Sequence, residues 1–368
     1  MAASSLNDPG IRTGSRKPGL LVLLDGRPLP GVIEAEVTNN NHYQADIFSA
    51  SFHMEADAKW WEADTVLLDI QASPDDGKPF VSMIVGEVSS VGIDLARRIV
   101  RVDGRDLTSR FIETKTQETF RNQTSSQVAT TLAGRHGMTA DVVATTGLVG
   151  RYYVQDHDHL KQGEFTRTTT EWDLLTYLAG IEGYDVWVEG TTLKFKPTTP
   201  PDATPWLVDW SVDENRMPVS NAMDLDLSRN LTLAKDIIVE VKSWNSRKGS
   251  GFTKIAKAAK SPGTKGGKAQ SEPQKISIIR PNLTEDQAQK LANSILADES
   301  KHERVIRWKE PAEAALTPRS MCRLTGTGTS WDQTYFVSSV QRRISLGTGF
   351  TMTAEAKNHS PQSTVTLR

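Results

Sequence analysis

The tetrapeptide Val-Ser-Ser-Val occurs twice in the chain, as Val88-Ser89-Ser90-Val91 and as Val337-Ser338-Ser339-Val340. Each copy follows a strand-like run and leads into another alternating stretch, Ile99 to Asp103 in the first case and Phe350 to Lys357 in the second. A shared strand–turn–strand context predicts one β-unit present twice, and such self-similarity constrains architecture more than any single element. A duplicated β-unit suits ring assembly, because two similar surfaces of one chain can occupy similar places around an axis.

Period-two alternation fills out the first unit. Leu20 to Leu24 reads as a strand and Asp25-Gly26 as a two-residue hairpin turn. Ile33, Ala35 and Val37 alternate with Glu34, Glu36 and Thr38, and Phe48, Ala50, Phe52 and Met54 with Ser49, Ser51 and His53. One face is then buried and the other wet. Val66, Leu68 and Ile70, then Phe80 to Val88, extend the meander until it can curl on itself.

The pattern changes after Gly104-Arg105-Asp106-Leu107. Thr124 with Gln127 is a capping box ahead of Val128, Leu132 and Ala133, and Gly137 stops that helix. Thr168 with Glu171 repeats the signature ahead of Trp172, Leu175, Leu178 and Ile181, with Gly183 as the stop. A hairpin follows, Tyr184 to Val188 and Thr192 to Phe195, turning at Gly190-Thr191. Thr198 to Pro205 reads as a crossing between domains. Arg247 to Lys275 gathers Gly, Ser, Pro and eight basic residues against the single acid Glu272, too little apolar surface to offset its ordering entropy. Thr284 and Gln287 cap a third helix, with Glu285 and Asp286 in its first turn and Ala288, Leu291, Ala292 and Ile295 on its apolar face.

The expected fold is mainly β with an α+β insert: two antiparallel β-barrels, a small α/β domain and a mobile basic loop. Its expected division is a flexible tail over 1–17, a first barrel over 18–108, the α/β insert over 109–198, and a segment over 199–236 that returns to the first barrel. A second barrel over 237–358 carries the basic loop 247–275 and a helix over 284–302, and 359–368 is a tail.

A chain of 368 residues has room for two or three such domains. Lys and Arg number 43 against 45 for Asp and Glu, a net charge of −2, which argues against a general polyanion binder. The single cysteine, Cys322, excludes an internal disulfide and any cysteine-based zinc site, and is expected to be a buried strand residue of a protein folded in a reducing cytoplasm. Met1 to Lys17 lacks the apolar core of a signal peptide, and no run reaches the length of a membrane span, so neither export by a signal peptide nor stable membrane association is expected.

Candidate chemistry is sparse. Asp156-His157-Asp158-His159 is the densest set of metal-ligand types, yet no other histidine lies nearby in sequence, and solvated residues explain it as well. Glu171 and Asp173 flank Trp172, as acids near a sugar bond would, but residues two apart on a helix do not face one another. The chain holds no nucleophile elbow, no phosphate-binding glycine loop before a helix and no HExxH. Trp60 and Trp61 sit in a connection between strands and suit a protein contact, and Arg105 and Asp106 complete the candidate interface residues.

Taken in order, the meander, Val102-Asp103-Gly104-Arg105-Asp106-Leu107, the capped helix, then Glu171-Trp172-Asp173-Leu174-Leu175 with Leu178-Ala179 and Gly183-Tyr184, resemble the phage late control gene D family of tail baseplate hub proteins. The closing stretch is similar too, with Leu316-Thr317-Pro318, a Gly326-Thr327-Gly328 turn, Tyr335-Phe336-Val337 and a final hairpin. The resemblance spans about Leu20 to Asn358. It implies two barrels like those of tail tubes, assembly as a homotrimer, no cofactor, and a place in the virion at the tail baseplate or tip after assembly in the host cytoplasm. Its implied partners are the hexameric tail tube, a trimeric spike, and tape-measure and other baseplate proteins, with DNA only in transit. It departs from the related valine-glycine-repeat spike proteins in lacking their fused barrel and β-helix, and the basic segment has no counterpart in the pattern. Two other readings are a peptidoglycan hydrolase using Glu171 or Asp173, and a carbohydrate-binding tail-tip protein using Trp60 and Trp61 as stacking platforms.

Overall fold

Asp25 and Gly26 both take positive φ, 46° and 79°, the two-residue geometry that reverses a strand at once. That turn joins β1 (Gly19–Leu24) to β2 (Arg27–Pro28), and the meander continues through β3 (Val32–Asn40), β4 (Ile47–His53), β5 (Leu67–Ser73), β6 (Val81–Asp94) and β7 (Ile99–Asp106). The computed structural model describes residues 6–7, 16–41, 43–54, 66–115, 119–149, 159–161, 170–200, 203–230, 237–245, 250–257, 274–281, 283–300 and 304–358.

Within this first half the strand order is β2-β1-β5-β6-β7-β4-β3, antiparallel throughout. The alternating residues bury as expected: Ala35, Val37, Phe48, Ala50, Phe52, Leu68, Ile70, Val100 and Val102 share one core. β1 comes close to β3 across that core, so the half curls around it. The Phe48 ring lies against Gly86 and Gly104, where a Cβ on Gly104 would collide with the ring and with the Glu87 carbonyl.

The insert comprises α1 (Thr108–Glu113), β8 (Thr119–Arg121), α2 (Ser125–Arg135), β9 (Thr139–Val142), β10 (His159–Lys161), α3 (Glu171–Glu182), β11 (Tyr184–Glu189) and β12 (Thr192–Pro197). Its own core joins Leu132 and Val128 of α2 to Leu175 and Leu178 of α3 and to Phe195 of β12. The capping box holds as read, with Gln127 N donating to Thr124 Oγ1 at 3.3 Å and Thr124 N donating to Gln127 Oε1 at 2.9 Å. The second cap is displaced. Thr170, not Thr168, precedes α3 and accepts from Asp173 N at 3.1 Å, which leaves Glu171 free to turn inward. Thr168 itself lies outside the described residues.

Beyond the insert come β13 (Trp206–Val212), β14 (Pro218–Ser220), β15 (Asp224–Arg229), β16 (Ile237–Asn245), β17 (Ser250–Lys257), β18 (Gln274–Ile279), α4 (Glu285–Ser300), β19 (Arg304–Pro311), β20 (Met321–Thr325), β21 (Thr334–Ser345) and β22 (Gly349–Asn358). Set aside β16 to α4, and the remaining strands follow the order β14-β13-β20-β21-β22-β19-β15. This is the first half repeated strand for strand, β13 standing for β1 and β22 for β7. One direction differs, since β13 runs parallel to β20 whereas β1 runs antiparallel to β5. The second half has a separate core, in which the buried Glu310 of β19 accepts from the indoles of Trp206 at 2.8 Å and Trp308 at 2.6 Å. The first bond ties β13 across the core to β19. Cys322 is buried there on β20, as expected.

The two Val-Ser-Ser-Val copies occupy the same point of equivalent strands, within β6 and β21. In β6 the register passes from Val88 opposite Gly104 to Ser90 opposite Asp103, and in β21 from Val337 opposite Ala356 to Ser339 opposite Glu355. Ser89 and Ser338 are thus the extra residues of two matching β-bulges.

Two expectations are corrected. The segment over 199–236 does not return to the first barrel: β13 pairs with β20 and β15 with β19, because Trp206, Val208 and Leu225 complete the second core. The expected second barrel over 237–358 is interrupted: β16, β17 and β18 form a separate sheet on which α4 packs, through Val239, Val241, Ala256, Ala288 and Ala292. The basic stretch 247–275 is therefore in part ordered. Composition counted its lysines as solvating, yet alternate residues of β17 face α4, and Lys254 reaches Glu285 at 2.7 Å in the helix's first turn. Residues 258–273 lie outside the described set.

Gly104→Ala tests the packing of the first half: the forced shift of Phe48 and β6 should cost about 1–3 kcal/mol, read as a lowered denaturant midpoint.

Candidate functional site

Among the described residues no enclosed catalytic constellation emerges; the feature that the folding pattern builds most consistently is a surface. β21 pairs antiparallel with β3, from Ser339 opposite Asn40 to Ser345 opposite Glu34, and so welds the two halves into one sheet. Eight strands, four from each half, then run side by side in the order β15-β19-β22-β21-β3-β4-β7-β6. Because directly paired residues point the same way, the outer face can be read in rows. One row is Lys309, Thr353, Gln341, Thr38, Ile47 and Arg105. The next is Thr351, Arg343, Glu36, Ser49, Asp103 and Ser90. A third is Asp226, Arg307, Glu355 and Ser339. Ile47 is the one apolar residue among those named in these rows, which carry four acids and four bases.

The weld itself is polar on one side and buried on the other. Gln341 Nε2 donates to Glu36 Oε1 at 2.6 Å and Arg343 pairs with Glu34 at 3.0 Å, both on the outer face. Arg342 points inward, only 5 % exposed, and donates to Asn39 Oδ1 at 2.9 Å, to the Glu313 carbonyl at 3.1 Å and to the Leu316 carbonyl. Burial lowers its pKa to about 10, which still leaves it charged at neutral pH.

A cleft of about 640 Å³ opens where the insert meets both halves, lined by Asp46, Asp106, Trp187, Arg319 and Arg342 among others. The Arg319 guanidinium sits 4.2 Å from the centroid of the Trp187 ring, a cation–π contact that links the second half to the insert. Burial, and then the neighbouring Asp46 carboxylate, push Asp106 up to about 8. Thr108 Oγ1 donates to its Oδ2 at 2.7 Å, while Oδ1 has no partner.

The candidates from sequence fare unequally. Arg105 lies on the outer face and pairs with Glu113 at 2.5 Å, whereas Asp106 is buried, since successive strand residues point to opposite sides. The two therefore do not share one interface. Trp60 and Trp61 lie outside the described residues, as do Asp156, His157 and Asp158, while His159 opens β10. Among the described residues no group of three potential ligands could hold a metal. Glu171 is 1 % exposed and engaged by His136 Nε2 at 2.6 Å and Arg135 at 3.3 Å; Asp173 closes the helix cap. Glu171 is thus enclosed, while Asp173 is half-buried. The rows of the outer face escaped sequence reading because they depend on β3 meeting β21, residues about 300 positions apart in the chain.

No protein-family model matches the chain, and no curated protein does. Solved structures do. A tail protein from Neisseria meningitidis MC58 matches with a TM-score of 0.65 at 15% identity, over 93% of this chain and 96% of that one. The 43 kDa tail protein of prophage MuSo2 from Shewanella oneidensis matches at 0.64 and 12% identity, over 92% and 98%. The chain has the fold of phage tail proteins. The tail-protein fold also extends to the E. coli c3393 protein, described as a component of the type VI secretion system with structural similarity to T4 bacteriophage tail proteins gp27 and gp5, at a TM-score of 0.53 and 10% identity, over 93% and 77%. Among the described residues of this chain no helix is long and apolar enough to cross a membrane.

The raised Asp106 has a consequence for stability. The folded chain holds a proton that the unfolded chain releases near its ordinary value of 3.8, so stability falls as pH rises from about 4 to about 8 and levels off above. Asp106→Asn should flatten that decline and raise the melting temperature most at pH 8 and above.

Proposed function

We propose that this chain is a non-enzymatic structural hub of a phage or phage-like tail. In this reading it assembles as a homotrimer at the baseplate or tail tip, between a hexameric tail tube and a trimeric spike, and its eight-strand polar face lines the passage between them. The observation that carries the reading is the duplication: two halves of one strand order, joined head to tail through β21 and β3. Three such chains supply six similar units, which match sixfold symmetry on one side and threefold symmetry on the other. The mixed charge of the face suits a wall that DNA passes without being held, since a strongly basic wall would bind it. The likeness to tail proteins, and to a secretion-system component itself likened to gp27 and gp5, supports the same assignment, as does the resemblance to the late control gene D family. The tube, the spike, and tape-measure or other baseplate proteins are the partners this role requires, in the virion.

Native mass spectrometry tests it directly, on the purified chain alone and co-expressed with the spike protein encoded beside it. The expected species is three copies of the chain, carrying a spike trimer in the second sample. A strict monomer in both would remove the hub reading.

A further inference from the structure

β16, β17 and β18 form a sheet of their own, apart from the duplicated halves, in the order β17-β16-β18. One of its faces is finished: α4 covers Val239, Val241 and Ala256 with Ala288 and Ala292. At the edge of that apolar seam Lys254 of β17 meets Glu285 of the helix at 2.7 Å. The opposite face is read from the register, since directly opposed strand residues point the same way. Lys242 and Trp244 of β16 lie on it, with Ile279 of β18 opposite Lys242 and Ile255 of β17 opposite Glu240. Lys257 and Lys275 flank Ile238 at the end of the same face.

This second face is apolar and cationic at once. Ile279, Trp244 and Ile255 are 71%, 54% and 44% exposed. Trp244 is seated across the strand pair on Gly251, where a Cβ would stand 2.8 Å from the indole. A ring positioned in this way loses little freedom when it is covered. Three lysines stand among these groups against one acid, Glu240, which already pairs with Lys275 at 2.7 Å and with Lys242 at 3.9 Å. Isoleucines offer no stacking surface to bases, and a central carboxylate repels phosphate, so the face does not match nucleic acid. Three strands about 4.7–4.9 Å apart make a strip roughly 10–14 Å wide, and a helix with its side chains is about 10–12 Å across. The strip therefore has the width of one helix, as the finished face does under α4.

We propose that the face bearing Lys242, Trp244 and Ile279 docks an acidic amphipathic helix of a partner protein. The apolar stripe of that helix lies over Trp244, Ile255 and Ile279, and carboxylates on its flanks meet Lys242, Lys257 and Lys275. The bound arrangement is helix, sheet, helix, and its outer layer repeats the chemistry of the inner one, where Glu285 of α4 reaches a lysine of β17. The face fits a single segment more than a whole domain, because three short strands offer far less than the roughly 800 Å² that each partner of a standard interface buries. The site lies outside the duplicated halves and does not depend on the hub reading.

Fluorescence anisotropy on the full chain tests the site. The probe is a labelled helical peptide with leucine at i, i+3, i+4 and i+7 and glutamate on both flanks, set beside the same peptide with lysine for glutamate. The acidic peptide should bind saturably and more weakly as salt rises, and the lysine peptide should not bind. Ile279→Glu and Lys242→Glu should each weaken binding about tenfold or more. Ile279 is exposed, so its substitution should leave the melting temperature unchanged, which separates lost docking from lost folding. Gly251→Ala, which displaces the indole without changing charge, should weaken the same peptide. No saturable binding of the acidic peptide, or equal binding of both peptides, would overturn the proposal. Tighter binding of a single-stranded oligothymidylate would overturn it in favour of nucleic acid, and loss of self-association in Ile279→Glu would assign the face to a second copy instead. A native trimer that ignores the acidic peptide would leave the hub standing and remove only this site.

Discussion

The seven ladder pairs between β21 and β3 hold the rest of the molecule in place. Each half curls over its own core and could exist as a closed body, but only this ladder makes a single sheet of them. It sets the two halves head to tail, so that the same strand order is read twice in the same direction across one surface. Arg342 reinforces the join from within. Its guanidinium is bonded on one side to Asn39 of the first half and on the other to carbonyls of the 313–316 segment of its own half, so separating the halves would strip a buried cation of its Asn39 acceptor.

The insert is secured to the same place by different means. Trp172 Nε1 donates to the Tyr43 carbonyl at 2.7 Å, and the Tyr43 hydroxyl donates to the Tyr184 carbonyl at 3.2 Å, which fixes α3 and β11 against the turn that follows β3. Arg319 over Trp187 adds a contact from the second half. Three bodies meet around Asp46, Asp106, Arg319 and Arg342, and the ionisable groups there are shifted by burial more than by one another. A rigid junction of this kind carries load between parts better than an open hinge would.

Much of the fold was legible because the alternation of Ala35, Val37, Phe48, Ala50 and Phe52 is local and unambiguous, and because Thr124-Gln127 and Thr284-Gln287 place helix starts within a residue. The repeated tetrapeptide pointed to the duplication, since a bulge needs particular residues at one point of a strand. What sequence could not supply was pairing over distance. Nothing local in Trp206 or Leu225 says that they complete the second core, and nothing in Arg105-Asp106 says which of the two faces water until the strand's partners are known. The basic stretch misled for a related reason: Phe252, Lys254 and Ala256 alternate toward α4, but lysine counted by composition looks solvated wherever it points.

The two halves differ most between their third and fourth strands. The first half crosses from β3 to β4 through residues 41–46, whereas the second spends residues 230–303 on the same crossing and builds β16, β17, β18 and α4 there. In a ring of three chains this module would stand on every other unit, like alternate merlons on a round parapet. In the proposed ring the strands would repeat six times and this module three, so that it breaks the sixfold rhythm down to a threefold one.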